Sequence, residues 1–450
     1  MYLIYILLLI SLFITFFEFY KLKKISFLIN IFILYLIIEI SVNFEIWHLV
    51  FLSNELWRNI IMFVVFLSFI IVLNLIKDLK FEVVFLNIMV LMGSMMIITC
   101  DNLIVIYLGL ELQTFSLFIL ISKNRVSLKG SEAALKYFIL GALSSGLFLL
   151  GISFIFSNGS SLNLRDLYLT VTMDKNLIQI SSFLICLSLF FKLALFPLHF
   201  WVADIYEGSS WDVISLLSTI PKISVLSIVL QMINYSSFFI ICGVISIILG
   251  TIGAMNQTKV KRLLAYSGIG HMGFIILGFG LLTNQGLEAS FIYLFIYIFT
   301  ILGIFSLIYG TLFTKNYFIV ELGGLNLINK LIAFSWLVFF LSIAGIPPFA
   351  GFINKWLILL ALVNSNYLVP VLIGVLFSAI AAGYYLRVVK ITYFQKTSSY
   401  ISWENILKPK FELNPTLSFI TGISIYLSVF LIIHPSSIFI PFYMGFNYFF

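Results

Sequence analysis

The chain has 450 residues, 62% of them hydrophobic and 10% charged, with a formal net charge of +7 and a mean hydropathy of +1.16. A soluble domain carries about 25% charged and 45–50% apolar residues, so this much apolar surface requires lipid as its solvent. The basic excess is spread over short loops with no aromatic-interleaved basic patch, which argues against nucleic acid as a partner.

Spanning a bilayer takes roughly 20 mostly apolar residues. By that rule the chain reads as an all-α, polytopic membrane helix bundle of about 14 transmembrane helices. The first two are expected at 2–20 and 25–41. Met1 to Phe17 has no basic leader region and no small-residue cleavage site, so it reads as a retained span and not a signal peptide. Then follow 59–76, 83–100, 102–122, 131–156, 177–200 and 212–233. The remainder are 236–256, 263–283, 288–313, 331–363, 368–390 and 417–434. Apolar runs of this length, without alternation, do not suit a barrel. Cys100, Cys186 and Cys242 fall in apolar stretches without C-x-x-C spacing, which argues against disulfides, zinc and iron–sulfur ligation.

Charge placement tests the span assignment. With the N-terminus outward, 18 of the 25 Lys and Arg lie in inward loops, from Lys21 and Lys77 through Lys259 and Arg262 to Lys410. Arg58, Arg165 and Lys175 alone lie on the outer side, an asymmetry that the positive-inside rule predicts. Spans four to eight and nine to thirteen also form two sets of five. Each set holds one span interrupted by proline, around Pro197 and around Pro347-Pro348. Interrupted helices in corresponding positions are the sequence mark of inverted repeats with an ion site near the breaks. The expected division is therefore 1–82 (three N-terminal helices), 83–233 and 234–390 (the two five-helix repeats), and 391–450 (a loop and the last helix).

Glu111, Lys136, Lys192, Lys222 and Lys355 read as lying well inside apolar spans. Each costs about 2.5–3.5 kcal/mol at the bilayer centre. One acid cannot pair four lysines, so proton or ion conduction is favoured over a set of structural ion pairs. Lysine suits a carrier, because desolvation and a neighbouring carboxylate move its proton affinity in opposite directions, whereas arginine stays charged.

Longer motifs carry a resemblance. Gly109-Leu110-Glu111-Leu112-Gln113, the run from Ser131 to Gly146, Phe191 to Trp201 with Asp204 and Glu207-Gly208, Pro221-Lys222, and Ala344-Gly345-Ile346-Pro347-Pro348 with Gly351-Phe352 and Lys355 resemble the antiporter-like membrane subunits of respiratory complex I, NADH:ubiquinone oxidoreductase. The run from Ser131 is similar to the chain 2 branch of that family. Trp211-Asp212 departs from the small-residue and proline run more usual there.

The resemblance implies a proton-translocating subunit of the mitochondrial inner membrane. It implies Glu111 and Lys192 as a charge pair at the uptake half, Lys222 as central carrier, Lys355 as exit-side lysine, and Lys136 tuning the Glu111 end. It implies no cofactor in this chain, with NAD, FMN, iron–sulfur clusters and ubiquinone carried by partner subunits. Expected partners are other complex I subunits, especially neighbouring antiporter-like chains, and membrane lipids. A cation/proton antiporter subunit, a plastid form of the same subunit and a purely structural scaffold remain as alternatives.

Three further residues stay open. His271 and His199 are candidate relay groups, each weighed against a satisfied core histidine. Glu132, one turn before Lys136, is either a structural partner or a tuning group. Gly268-Ile269-Gly270-His271-Met272-Gly273 matches G-x-G-x-x-G but follows no strand, so it is read as close helix packing.

Overall fold

The computed structural model describes residues 56–76, 80–123, 127–157, 161–164, 175–232, 236–310, 318–395, 415–436 and 439. The expected spans at 2–20 and 25–41 and most of the 391–450 segment lie outside them.

Lipid offers backbone groups no hydrogen bonds, so the chain satisfies them within helices. The helices are α1 (Leu56–Leu75), α2 (Phe81–Thr99), α3 (Leu103–Ile121), α4 (Leu128–Ser157), α5 (Lys175–Leu193), α6 (Trp201–Gly208), α7 (Trp211–Gln231) and α8 (Ser236–Met255). They continue with α9 (Val260–Phe279), α10 (Asn284–Gly310), α11 (Leu325–Ile328), α12 (Lys330–Ala344), α13 (Ala350–Asn364), α14 (Leu368–Phe394) and α15 (Pro415–Ile433). Ten are long and apolar enough to cross a membrane, and α12, α13 and the Gln179–Leu193 part of α5 are shorter apolar helices. Every span expected within the described residues contains a helix, those at 177–200 and 331–363 being broken after Leu193 and after Ala344, and the described residues contain no strand.

Both expected interruptions are present, and they are built alike. At the first, Ala194 takes the left-handed conformation (φ 62°), its amide donates to Phe191 O, and Leu195 N donates to Phe190 O at 3.0 Å. At the second, Gly345 (φ 79°) donates to Ser342 O at 3.0 Å, and Ile346 N donates to Leu341 O at 3.2 Å. Each is the paired hydrogen-bond closure of a Schellman helix end, and the prolines that follow stop the helix from resuming at once. In each, a side chain from beyond the break donates to a carbonyl in the last turn of the first half. Trp201 Nε1 reaches Phe191 O at 3.0 Å, and Lys355 Nζ reaches Ala344 O at 2.6 Å.

Helix neighbours repeat as well. Helix α2 packs on α3 and α7, while α8 packs on α9 and α14; α4 packs on α5, while α10 packs on α12 and α13. The centre of the bundle is α7, buried along nearly its whole length. Pro221 within it has no amide to offer Leu217, so the ladder is open one residue before Lys222.

Candidate functional site

Three of the predicted lysines sit inside the bundle, each beside an opened stretch of backbone. Lys192 lies in the last turn of α5 just before the first break. Its Nζ is buried, has no hydrogen-bond partner among the described residues, and lies 5.8 Å from the centre of the Tyr137 ring and 5.4 Å from that of Phe191. Lys222, 3% exposed, follows Pro221 and holds its ammonium 5.6 Å from the centre of the Tyr297 ring. Lys355, 7% exposed, reaches back across the second break to Ala344 O. That carbonyl belongs to a helix C-terminus, whose partial negative charge suits a cation.

Glu111 and Lys192 line one small cavity with Tyr107, Ser144, Phe148 and Ser188, with room for about one water. They do not make a direct ion pair; the Glu111 carboxylate accepts from Thr114 Oγ1 at 3.2 Å and from the Tyr107 hydroxyl. The charge pair that the resemblance implies is therefore a pair across a cavity in this structure. From the same helix, Gln113 Nε2 donates to Ser224 Oγ at 3.1 Å, linking α3 to α7 within one turn of Lys222.

Beyond Lys222 the side chains of α9, α10 and α14 converge. His271 stands between two phenols, with Nδ1 2.7 Å from Tyr293 Oη and Nε2 3.1 Å from Tyr385 Oη. A neutral imidazole has one donor and one acceptor nitrogen, so one phenol donates to it while the other accepts. His271, Tyr293 and Tyr297 also line a cavity closed on its other side by Ser342 and Asn354, the residue next to Lys355. His199 lies elsewhere. It is buried at the first break, 4.2 Å between ring centres from Phe200, and its Nδ1 has no hydrogen-bond partner among the described residues.

Lys136 departs from the sequence expectation. Its side chain is 40% exposed on the rim of α4, and its ammonium lies 2.7 Å from both Glu132 Oε1 and Asp204 Oδ2. It is not enclosed among apolar side chains, and it already has two carboxylates. The ion pairs continue across α6, a short helix outside the spans. Glu207 meets Lys129 at 2.6 Å, Lys259 at 2.5 Å and Arg262 at 3.3 Å, and Arg262 lies 3.6 Å from Asp204. Burial pushes the Glu207 carboxyl up, but hydrogen bonds from Lys129 and Lys259 outweigh it and bring it down to about 2.

Residue spacing gave no sign of Tyr293, Tyr385, Ser342 or Asn354. The available signal was chemical: a phenol in an apolar span must bring its hydroxyl to a partner, and Tyr293 and Tyr385 both lie in apolar helices.

Residues 100–381 match the family described as NADH:quinone oxidoreductase/Mrp antiporter, TM. The NADH-ubiquinone oxidoreductase chain 2 of Metridium senile is 39% identical over 359 residues, covering 78% of this chain and 93% of that protein. The NADH-quinone oxidoreductase subunit N of Rhodospirillum rubrum is 34% identical over 333 residues, covering 71% of this chain and 68% of that protein. Among solved structures, a chain of respiratory complex I from Thermus thermophilus superposes with a TM-score of 0.82 over 97% of this chain and 98% of that one, at 23% identity. A chain of the Mrp complex from Dietzia superposes with a TM-score of 0.78 over 88% and 84%, at 17% identity. At those identities the two superpositions establish the fold.

Proposed function

This chain belongs to the NADH:quinone oxidoreductase/Mrp antiporter membrane family, and from that membership we propose that it is a proton-translocating membrane subunit of respiratory complex I, of the chain 2 and subunit N kind. It is a multi-pass membrane protein and acts as part of an enzyme, NADH:ubiquinone reductase, together with other complex I subunits. The carrying observation is that Lys192, Lys222 and Lys355 all lie inside an apolar bundle where the backbone ladder is opened. Ionisable groups enclosed in this way are costly, and in membrane proteins they mark proton and ion paths.

Glu111 and Lys192 form the uptake half, Lys222 the central carrier and Lys355 the exit-side carrier, with His271 between the last two. Lys136, held by Glu132 and Asp204, tunes the Glu111 end, where a neighbouring antiporter-like chain docks. Redox chemistry on partner subunits, which carry NAD, FMN, iron–sulfur clusters and ubiquinone, shifts the charge balance at Glu111 and Lys192. Lys222 and then Lys355 answer by releasing a proton outward. Moving one charge against ~150–200 mV takes about 3.5–4.6 kcal/mol. The matched helix neighbours and twin helix ends support two repeats, at 83–233 and 234–390, preceded by three helices in 1–82 and followed by a last helix within 391–450. Relatives named NADH-ubiquinone oxidoreductase chain 2 and a composition with 49 Phe support the mitochondrial inner membrane as its location.

The likeness to the Mrp complex favours a second reading, a cation/proton antiporter subunit. Native-gel separation of gently solubilised membranes, with mass spectrometry of the band that stains for NADH oxidation, tells them apart. The chain is expected in that large band; finding it only in a small band without NADH activity overturns the complex I reading. Lys222→Met is expected to leave assembly intact and stop proton pumping. Undiminished pumping would make the charges structural.

A further inference from the structure

Ser342 and Asn354 are 0% and 4% exposed, yet Ser342 Oγ and Asn354 Oδ1 have no hydrogen-bond partner among the described residues. Buried polar atoms are otherwise almost always paired. The serine one turn or more earlier on the same helix behaves ordinarily, since Ser335 Oγ donates to Ile332 O at 2.7 Å. Ser342 does not close such a bond, and its own carbonyl is already taken by the Gly345 amide. Its hydroxyl and the Asn354 carbonyl oxygen belong to the wall of the cavity that His271 and Tyr293 line from the other side. The cavity has room for about one water, and water settles where two to four polar partners converge.

We propose that Ser342 and Asn354 hold one ordered water between His271 and Lys355, and that this water is the link over which a proton reaches Lys355. The inference rests on the proton-translocation reading and assigns two positioning residues to it. The lining fits water better than a metal cation, because its oxygens are hydroxyls and one amide, with no carboxylate among them to balance a cation's charge.

The transfer balances without any co-reactant. A proton arriving at His271 Nε2 makes the ring cationic, and the Nδ1–H bond then breaks as that proton passes to Tyr293 Oη. The phenol gives its own proton to the water, and the water gives one to the neutral Lys355 amine. An N–H bond is lost at His271 and one is gained at Lys355, while Tyr293 and the water end as they began. Asn354 Oδ1, an acceptor only, orients the water by taking one of its hydrogens. Ser342 Oγ can donate or accept, so it follows the water as the polarity of the line reverses.

The test uses the assembled complex. A density map fine enough to show waters is expected to have a peak within hydrogen-bonding distance of both Asn354 Oδ1 and Ser342 Oγ. Ser342→Ala removes one atom, and Asn354→Leu replaces the amide by an apolar side chain of similar size. Each is expected to slow NADH-driven pumping per assembled complex by roughly 3- to 10-fold, the range of one lost hydrogen bond. Ser342→Thr, which keeps the hydroxyl, is expected to restore the rate. Should Asn354→Leu fail to assemble, Ser342→Ala decides alone. No peak, or wild-type pumping in both variants while Lys222→Met is inactive, overturns the water link and leaves the relay standing. Full pumping in Lys222→Met as well would bring down the relay itself.

Discussion

Replacing Gly345 by alanine probes whether the second helix break serves Lys355. The added Cβ would lie 2.8 Å from Lys355 Cδ and 3.2 Å from both its Cε and Nζ. The left-handed backbone (φ 79°) costs a non-glycine residue ~1–2 kcal/mol. Displacing the lysine also gives up its bond to Ala344 O, which for a charged donor contributes about 1.5–3 kcal/mol. The total is about 2.5–5 kcal/mol, and each 1.36 kcal/mol is worth tenfold in rate. If half of it is felt during proton transfer, pumping slows by roughly tenfold or more. The assay is NADH-driven acidification of membrane vesicles, read with a pH-sensitive dye and normalised to complex assembled on a native gel. Ala194→Gly supplies the control, since it removes a Cβ from the equivalent left-handed position and is expected to pump normally. Gly345→Ala pumping at the wild-type rate with normal assembly would refute the argument that the turn positions Lys355.

Four other changes are informative. Lys136→Gln breaks two rim ion pairs that contribute about 0.2–1 kcal/mol each, so pumping is expected to fall by no more than about 30-fold; a loss as complete as in Lys222→Met would put Lys136 in the relay itself. Tyr385→Phe leaves His271 Nε2 buried without its hydroxyl partner, at a cost of about 1–3 kcal/mol, and pumping should fall roughly tenfold; an unchanged pumping rate would mean that His271 carries no proton. Gly250→Ala places a Cβ 2.6 Å from Gly270 N and 2.8 Å from Tyr266 O, forcing α8 from α9; less assembled complex on a native gel is expected, and normal amounts would show that the helices can part freely. The Glu207 contribution to holding α6 is complete above about pH 4.5 and is lost as pH falls towards 2, because its carboxyl is held below its ordinary value in the folded chain. Hydrogen exchange of the α6 amides, corrected for intrinsic rate, should therefore stay level from pH 8 to 5 and accelerate at about pH 3, and Glu207→Gln should abolish that step.

The helices were legible because lipid leaves the backbone one economical way to pair its own groups, and Pro197 and Pro347-Pro348 marked where that pairing had to stop. Lys192, Lys222 and Lys355 stood out for the complementary reason, a charge in a long apolar run. What spacing could not give was which groups meet in space. Lys136 read as one more enclosed lysine, since Asp204 is 68 residues away and enters only through the turn after the break. Glu111 and Lys192 read as a contact pair, but they lie on different helices, and the packing of α3, α4 and α5 leaves a cavity between them. The phenols flanking His271 come from α10 and α14, 22 and 114 residues further along the chain. Each is unremarkable in its own segment, and only the fold gives it a partner.

The oxygen that receives Lys355 belongs to the main chain, and this bears on how the site tolerates drift. A carboxylate counter-group is erased by a single substitution. The Ala344 carbonyl survives any replacement of its side chain and is lost only if the chain stops turning at Gly345. Mutational vulnerability thus moves from the charged partner to a glycine that touches no proton. Random mutagenesis of α12 and α13 should find its inactive variants clustered at that turn and at Lys355, with position 344 accepting whatever its neighbours have room for.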